Sequence, residues 1–569
     1  MPEYKSPLER LRHWAAVAPD RVYLTQPLPE GGVEQFTWAQ VWDQSRRLAA
    51  YLRSLRLPPG SSIALYGKNS AHWIMADVAI WMAGHVSVPL YPTLSADMAK
   101  YVLEHSQARL LIIGKLDGKS DSWNEVRPVL PADLPLLGLP LSPALSFDGD
   151  SKQWRQCLAE HEPLAVIDQR ESAELATIIY TSGTTGRPKG VMHSLASLTA
   201  PCLVTAELWR TSADDRMLSY LPLAHIAERV ALEIPSLVYG FQVYFNLDLD
   251  SFQEDLRRAR PTRFFSVPRL WTKFYQAVHQ QLPTEQQQAL FADPVQGPLA
   301  KRKILAGLGL DAAHIGFTGA APLPAHIIAW YRELGLELIE VFGMTENAAA
   351  SHACQRGDVK PGYVGTPLPG VECRIDADGE VLVKSPGQML GYYKMPEQAA
   401  LETTADGFFR TGDRGELDAE GRLRITGRVK ELFKTSKGKY VAPVPIENRL
   451  GTHPCIEAIC VTGPGEPQPF ALAMLAADRH QAARGDPASR EALDQELSTL
   501  LDQVNEALED HERLEYLVVV AQPWTIESGL LTPTMKLRRS VIEQRYLPHA
   551  AAWRSAERKI LWEPHPHYD

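Results

Sequence analysis

The chain has 569 residues, 45% of them hydrophobic and 22% charged, with a formal net charge of −10. Such a length predicts several modules around more than one core, and the acidic balance argues against a surface dominated by nucleic-acid or anionic-membrane attraction. Six cysteines with no Cys-x-x-Cys pair and no dense framework argue against a disulfide scaffold and suit a reduced, cytoplasmic setting; no zinc-ligand spacing is readable either. Met1-Pro-Glu-Tyr-Lys5 lacks the basic-then-apolar pattern of an export leader, so the expectation is a chain that is not secreted.

In chain order, Trp38, Val41, Trp42, Leu48 and Leu52 recur at mostly three- or four-residue spacing, predicting a helix near residues 36–57 that stops at Pro58-Pro59-Gly60. Residues 62–66, 86–90 and 108–113 read as strands and 71–84 as a helix, the alternation of a parallel sheet covered by helices. The apolar stretch from Trp73 to Leu90 is interrupted by Asp77, Gly84 and His85 and closed by Pro89, short of the ~20 apolar residues that a membrane span needs. Peripheral membrane contact is left open. Ser251-x-x-Glu254 predicts a capping box on a helix that ends before Pro261, followed by a strand over 264–267. Arginines and lysines around that strand interleave with Phe264, Phe265, Trp271 and Phe274, a mixture able to stack single-stranded nucleic acid, but the strand pattern and the acidic whole argue for no nucleic-acid partner. From about Val371 the texture turns to hairpins around Asp-Ala-Asp-Gly and Asp-Ala-Glu-Gly. After Arg428 it becomes α+β, with a helix opened by Asp486-Pro487 and carrying Leu493, Leu497, Leu500, Leu501, Val504 and Leu508. In the tail, His565 and His567 alone fall short of a four-ligand metal site. The fold class expected is α/β, with a β-rich subdomain and a small α+β C-terminal part.

Chemistry concentrates first in Thr181-Ser182-Gly183-Thr184-Thr185-Gly186-Arg187-Pro188-Lys189-Gly190, directly after the apolar run 175–180. Glycines let a backbone approach an anion, hydroxyls add donors and lysine supplies charge, so the stretch suits phosphate; its spacing is not Gly-x-x-x-x-Gly-Lys-Ser/Thr. A mobile linker is the alternative for this loop alone. Thr318-Gly319-Ala320-Ala321-Pro322-Leu323 is a small-residue turn that lets backbone meet a flat ligand or is simply a tight turn. Glu340-Val341-Phe342-Gly343-Met344-Thr345-Glu346 ends on a hydroxyl and a carboxylate of the kind Mg²⁺ prefers, although a lone glutamate is as well placed on a surface. Leu221-Pro-Leu-Ala-His225 carries a histidine that is either functional or a satisfied core residue. Asp413 in Phe409-Arg-Thr-Gly-Asp413 suits two hydroxyl donors or an Asx-turn, and Lys536-Leu-Arg-Arg539 is either a functional basic group or a solvated face.

Together and in this order, these segments resemble the adenylate-forming superfamily of acyl-CoA synthetases, nonribosomal adenylation domains and luciferases, across most of the chain; the segments at His225 and Val267-Pro-Arg-Leu-Trp271 are most similar to those of long-chain fatty acid–CoA ligases. The resemblance implies a large N-terminal domain over 1–427, with its β-rich subdomain at about 365–427, a hinge at 428–431 and a C-terminal lid over 432–569. It implies that ATP or AMP is held by Thr181, Ser182, Gly183, Thr184, Thr185, Gly186, Lys189, Gly319, Ala320, Ala321, Val341, Phe342, Gly343, Met344, Thr345, Asp413, Arg428 and Lys536. Within that set Phe342 stacks on adenine, where the family often has tyrosine, and Asp413 takes both ribose hydroxyls. Lys536, His225, Thr184 and Glu346 are implied as catalytic, Glu346 and Thr184 as Mg²⁺ ligands and Lys430 as the pivot, where other branches often carry aspartate. The implied activity joins a fatty acid, ATP and CoA through acyl-AMP, in the cytoplasm or peripherally at the inner face of a membrane; a carrier-protein thiol in place of CoA, a medium-chain or aryl acid, and a non-catalytic sensor are the alternatives.

Overall fold

The computed structural model describes residues 6–118, 121–143, 152–167, 170–181, 187–321, 323–526, 528–532 and 536–564. The chain forms two compact units, one made of Met1–Cys373 and Val383–Arg410, the other of Arg374–Leu382 and Thr411–Asp569.

The first unit is built on an eight-stranded sheet in the order Gly391–Tyr392, Lys189–Ser194, Leu175–Thr181, Val86–Leu90, Ser62–Tyr66, Leu110–Ile113, Leu136–Gly138 and Lys152–Gln153. Ser62–Tyr66 runs parallel to both Val86–Leu90 and Leu110–Ile113, as the alternating pattern predicts. The helix Trp38–Ser54 begins on a capping box from Thr37 and Gln40, and it buries Trp38, Val41, Leu48 and Leu52 along one stripe. Trp73 to Leu90 is interior rather than membrane-like: the helix Ala71–Met82 is buried on every side, and the strand Val86–Leu90 is wholly buried in the sheet. Among the described residues no helix is long and apolar enough to cross a membrane. A second sheet places Arg263–Ser266, Ile315–Thr318 and Leu338–Phe342 in parallel, with Trp271, Phe317 and Tyr331 in its core.

The capping box expected from Ser251 and Glu254 does not form. The helix Phe252–Ala259 has no side-chain cap; Ser251 Oγ instead lies 2.8 Å from Asp255 Oδ2, while Asp248 Oδ1 accepts the Ser251 amide. A nearby aspartate competes for the hydroxyl, and Ser251 itself has helical backbone angles that a cap avoids.

In the second unit the strands Phe409–Leu417 and Leu423–Arg428 form the expected antiparallel hairpin, so that Asp413 and Arg428 face each other. A four-stranded sheet of Ile456–Thr462, Phe470–Leu475, Leu517–Val519 and Ile560–Trp562 carries the C-terminal core. Against it lies the helix Pro487–Glu506, capped by the Asp486 side chain on the Ala488 and Ser489 amides and burying its leucine stripe. His565 and His567 lie outside the described residues.

Candidate functional site

In the first unit the segment expected to bind phosphate is flanked by two antiparallel strands. Leu175–Thr181 enters it and Lys189–Ser194 leaves it, with Thr181 paired to Lys189 and Tyr180 to Gly190. Gly190 allows this closure, because a Cβ there would stand 2.8 Å from Ile178 and 3.2 Å from the Tyr180 ring. The expected contacts Ser182, Gly183, Thr184, Thr185 and Gly186 lie outside the described residues.

Two further segments are set side by side by the second sheet. Thr318 ends one buried strand opposite Glu340 of the next, which brings Gly319 against Val341, where a Cβ on the glycine would stand 3.0 Å from the valine side chain. Ala320 has a φ of 70°, a left-handed backbone that costs an alanine about 1–3 kcal/mol and persists only where its surroundings enforce it. Gly343 is required by contact, since a Cβ would stand 2.2 Å from the Ala349 carbonyl carbon. The chain then makes the short turn Thr345–Asn347, which carries Glu346 after Met344. Glu340 is buried, accepts the Leu323 amide at 3.3 Å, and is pushed up to about 7 by that burial.

His193 joins the two halves of this region. Its Nε2 lies 2.7 Å from the Thr345 carbonyl oxygen and its Nδ1 lies 3.0 Å from Ser197 Oγ. A carbonyl only accepts, so Nε2 carries the proton, and burial brings the imidazole down to about 4 and keeps it neutral. The strand leaving the phosphate loop is thereby tied to the turn bearing Glu346.

Lys189 and Glu346 are brought together through two residues outside every motif read from the sequence. Lys189 Nζ donates to Glu402 Oε1 at 2.9 Å and lies 3.3 Å from Oε2, and it stands 4.1 Å over the Tyr392 ring. The Tyr392 hydroxyl lies 2.9 Å from Glu346 Oε1 and 2.5 Å from Glu402 Oε2. Burial and the two adjacent carboxylates hold the Tyr392 phenol above its ordinary range. Burial works against the charge on Glu402, but hydrogen bonds from Tyr392, Lys189 and Gln398 prevail and hold its carboxyl below the usual range. Glu346 fits a hard divalent cation: a carboxylate has about four lone-pair sites, of which the Tyr392 hydroxyl takes one.

His225 opens a short helical turn. Its Nδ1 accepts the Ala227 amide at 3.1 Å, so a neutral ring presents N–H at Nε2, and the half-buried ring stands edge-on to Tyr91 at 6.4 Å. A π-helical turn, Arg229–Glu233, follows at once. Turns of this type recur at functional sites, and local sequence spacing does not announce them.

In the second unit Asp413 is buried and accepts Arg428 Nε at 2.8 Å on Oδ1. The expected ribose acceptor is thus paired with the expected ribose or phosphate cation. Lys430 is exposed in the turn Val429–Glu431. Lys536 is exposed and held by its backbone: its amide donates to Thr532 Oγ1 at 3.0 Å and its carbonyl accepts the Thr532 amide at 2.8 Å. Elsewhere in this unit His453 Nδ1 lies 2.9 Å from Cys455 Sγ and Nε2 lies 3.3 Å from Glu496, whose carboxylate also pairs with Arg479. These contacts use the same atoms that a cation would need.

Sequence reasoning missed His193, Tyr392 and Glu402, which act on residues 152, 46 or 213 positions away. The consecutive tyrosines in Gly391-Tyr-Tyr-Lys394 were the one available signal, and two adjacent aromatics read equally well as an edge strand.

The AMP-binding enzyme family model matches residues 11–393, and the AMP-binding enzyme C-terminal domain model matches residues 431–551. The chain is 32% identical to long-chain-fatty-acid–CoA ligase FadD15 of Mycobacterium bovis over 93% of each chain. It is 28% identical to long chain acyl-CoA synthetase 2 of Arabidopsis thaliana over 90% of this chain and 86% of the relative. Its fold matches that of the anthranilate CoA ligase AuaEII solved with anthranoyl-AMP, at a TM-score of 0.76 and 21% identity over 97% of this chain and 99% of that one. It also matches the A domain of a carboxylic acid reductase from Segniliparus rugosus solved with AMP, at a TM-score of 0.77 and 22% identity over 97% and 94%. With one family model over residues 11–393, another over 431–551 and a relative 32% identical over 93% of its length, the chain belongs to the AMP-binding enzyme family.

Proposed function

We propose that this protein activates a long-chain fatty acid with ATP, giving acyl-AMP and pyrophosphate, and then transfers the acyl group to CoA, releasing AMP. The observation that carries the reading is the assembly of Lys189 and Glu346 into one charged cluster beside the phosphate-loop strands. The long-chain assignment is supported by relatives bearing that name over nine-tenths of the chain.

A carboxylate is a poor acyl donor because its leaving oxygen is strongly basic, and adenylation replaces it with AMP. In the first step the fatty carboxylate attacks the ATP α-phosphorus in line, and pyrophosphate leaves. Lys189 contacts the departing phosphates, Thr181 and the loop after it supply hydroxyl and amide donors, and Lys536 balances charge on the α-phosphate. His225 borders the carboxylate through Nε2–H, the face turned away from its backbone bond. When bound, Mg²⁺ supplies charge neutralisation for the phosphates, held by Glu346 and Thr184. Phe342 stacks on adenine beside Gly319, Ala320 and Ala321, and Asp413 accepts the ribose hydroxyls while Arg428 closes over them. In the second step CoA thiolate attacks the mixed anhydride and expels AMP.

The domain reading belongs to the same proposal: 1–427 binds nucleotide and acid, 428–431 is the hinge with Lys430 as pivot, and 432–569 is a lid that alternates between the two steps. A cytoplasmic setting suits six cysteines that are all free thiols, and an acyl substrate that partitions into lipid favours peripheral contact at the inner membrane face. Acid-dependent ATP–pyrophosphate exchange, run across short, medium, long and aromatic acids and followed by CoA addition, tests the assignment. Exchange is expected to be greatest with long-chain acids, and its absence with every acid sinks the reading. Lys536→Ala is expected to lose exchange while keeping thioester formation from supplied acyl-AMP; equal loss of both steps removes the assigned role of Lys536.

A further inference from the structure

Two acidic side chains and one ammonium meet around a single phenol in the first unit. Glu402 caps the helix Pro396–Leu401, Tyr392 lies in the edge strand Gly391–Tyr392, and Glu346 and Lys189 come from the two ATP-side motifs. Gln398 Nε2 adds a bond of 2.6 Å to Glu402 Oε1. Glu402 is therefore fixed from three sides, by Gln398, Lys189 and Tyr392. A phenol has one proton, so Tyr392 cannot satisfy both carboxylates fully, and the Lys189 ammonium is the group that balances them.

We propose that Tyr392 and Glu402 are positioning residues that couple phosphate binding at Lys189 to cation binding at Glu346. Before ATP enters, Glu402 and the Tyr392 ring hold the flexible Lys189 side chain in one place, which lowers the ordering cost of binding. As the triphosphate draws Lys189 away, Glu402 loses its counter-ion and becomes the stronger acceptor. The Tyr392 hydroxyl then turns its proton wholly to Glu402 and releases Glu346 Oε1. One event thus frees a lysine for phosphate and a carboxylate oxygen for the metal, which favours the metal–nucleotide complex over either component alone. The inference rests on the ATP-side reading of Lys189 and Glu346.

A double-mutant cycle on the full-length enzyme tests it. Glu402→Gln and Tyr392→Phe are each made alone and together with Lys189→Ala, and binding of α,β-methylene-ATP is measured by calorimetry with Mg²⁺ and with EDTA, beside KM and kcat in pyrophosphate exchange. Glu402→Gln is expected to weaken Mg²⁺-dependent binding and raise the KM for ATP about fivefold to tenfold with kcat within about twofold, and to do almost nothing further once Lys189 is alanine. Tyr392→Phe is expected to shrink the affinity gain that Mg²⁺ gives by a similar factor, and Glu402→Asp to restore part of the loss. Equal losses from Glu402→Gln in both backgrounds, or a Mg²⁺ gain unmoved by Tyr392→Phe, overturn the proposal; if Glu402→Gln does not fold, the Tyr392→Phe cycle decides alone. Failure of the ligase reading is distinguishable, because there the unaltered protein shows no acid-dependent exchange.

Discussion

Two arginines, one fully buried and one largely so, one in each unit, anchor segments next to proposed site residues and solve the same electrostatic problem differently. Arg229, four residues after His225, is fully buried among Asp77, Glu233 and Thr177 Oγ1, with Glu233 at 3.0 Å and Thr177 at 2.7 Å, and its guanidinium also lies over the Trp73 and Trp81 rings. Arg539, three residues after Lys536, binds both oxygens of Glu447 at 2.7 and 2.9 Å and the Val461 carbonyl at 2.7 Å, with Glu431 at 3.6 Å. Each arginine faces two carboxylates, so each cluster has one negative charge in excess. Around Arg229 no solvent reaches the excess, and burial pushes both Asp77 and Glu233 upward, which favours a proton on the pair. Around Arg539 burial also pushes Glu447 upward, but the second carboxylate, Glu431, is 30% exposed, so water reaches one of the two acids. Depth of burial, not composition, decides whether a proton or solvent closes the balance.

The most damaging way to break this comparison is Arg229→Met, which leaves two acids in a dry interior. It is expected to cost about 3–5 kcal/mol and most of the soluble protein, read by denaturant unfolding. Arg539→Met should cost less, about 2–3 kcal/mol, because Glu431 can turn to water. If the two losses are equal, exposure of Glu431 does not matter.

A smaller effect sharpens the contrast through pH. An acid whose pKa rises on folding binds more protons folded than unfolded, so its stabilisation is complete below the ordinary carboxyl range and is lost as pH rises toward the folded value. Asp77 and Glu233 behave in this way, as do Glu340, raised to about 7, and Glu228, raised to about 8, all mainly by burial. His72, His193 and His352 have the opposite sign: burial lowers them to about 3, 4 and 4, so their contribution is present above pH 6.5 and lost as pH falls. Between pH 6.5 and 8 the raised acids make stability decline with pH, by at most about 1.4 kcal/mol per pH unit for each proton held, while Lys115, lowered to about 8 by burial, works in the opposite sense toward the top of the window. Urea titrations at spaced pH values check the slope. Asp77→Asn, which removes one of the two buried acids, should flatten it, whereas Glu431→Gln should change it less; a slope untouched by Asp77→Asn would separate the decline from this cluster.

Much of the fold was legible because its signals are local. Ser62–Tyr66 and Val86–Leu90 have the strand limits that the apolar runs suggest, and Asp486 caps its helix as read. Ser251 shows the limit of such reading, since the aspartates at 248 and 255 took the hydroxyl and amide that the capping pattern reserves. Small residues and charges clustered in one stretch drew attention to 181–190 and 340–346, and among the described residues Lys189 and Glu346 from these stretches meet in one cluster. The candidate site was not legible where a side chain serves a distant partner. His193 looks like any strand residue until Thr345 is placed against it, and Glu402 looks like a surface acid until Lys189 is. The raised carboxyls of Asp77 and Glu233, 156 positions apart in the chain, are equally a property of the folded interior.

The two-residue strand Gly391–Tyr392 also sets a timetable. It pairs Gly391 with Met192 and Tyr392 with Val191, the end of a sheet whose other strands are all complete by residue 194. During synthesis, at about 5–20 residues per second, the ribosome therefore adds roughly 200 more residues while the Lys189–Ser194 edge has no neighbour on one side. For about 10 to 40 seconds that edge is open to any passing strand, and Lys189 has neither its aromatic platform nor its counter-ion. A nascent chain halted before Gly391 would carry Lys189 without the ring and the carboxylate that hold it, so this cluster is completed only late in translation.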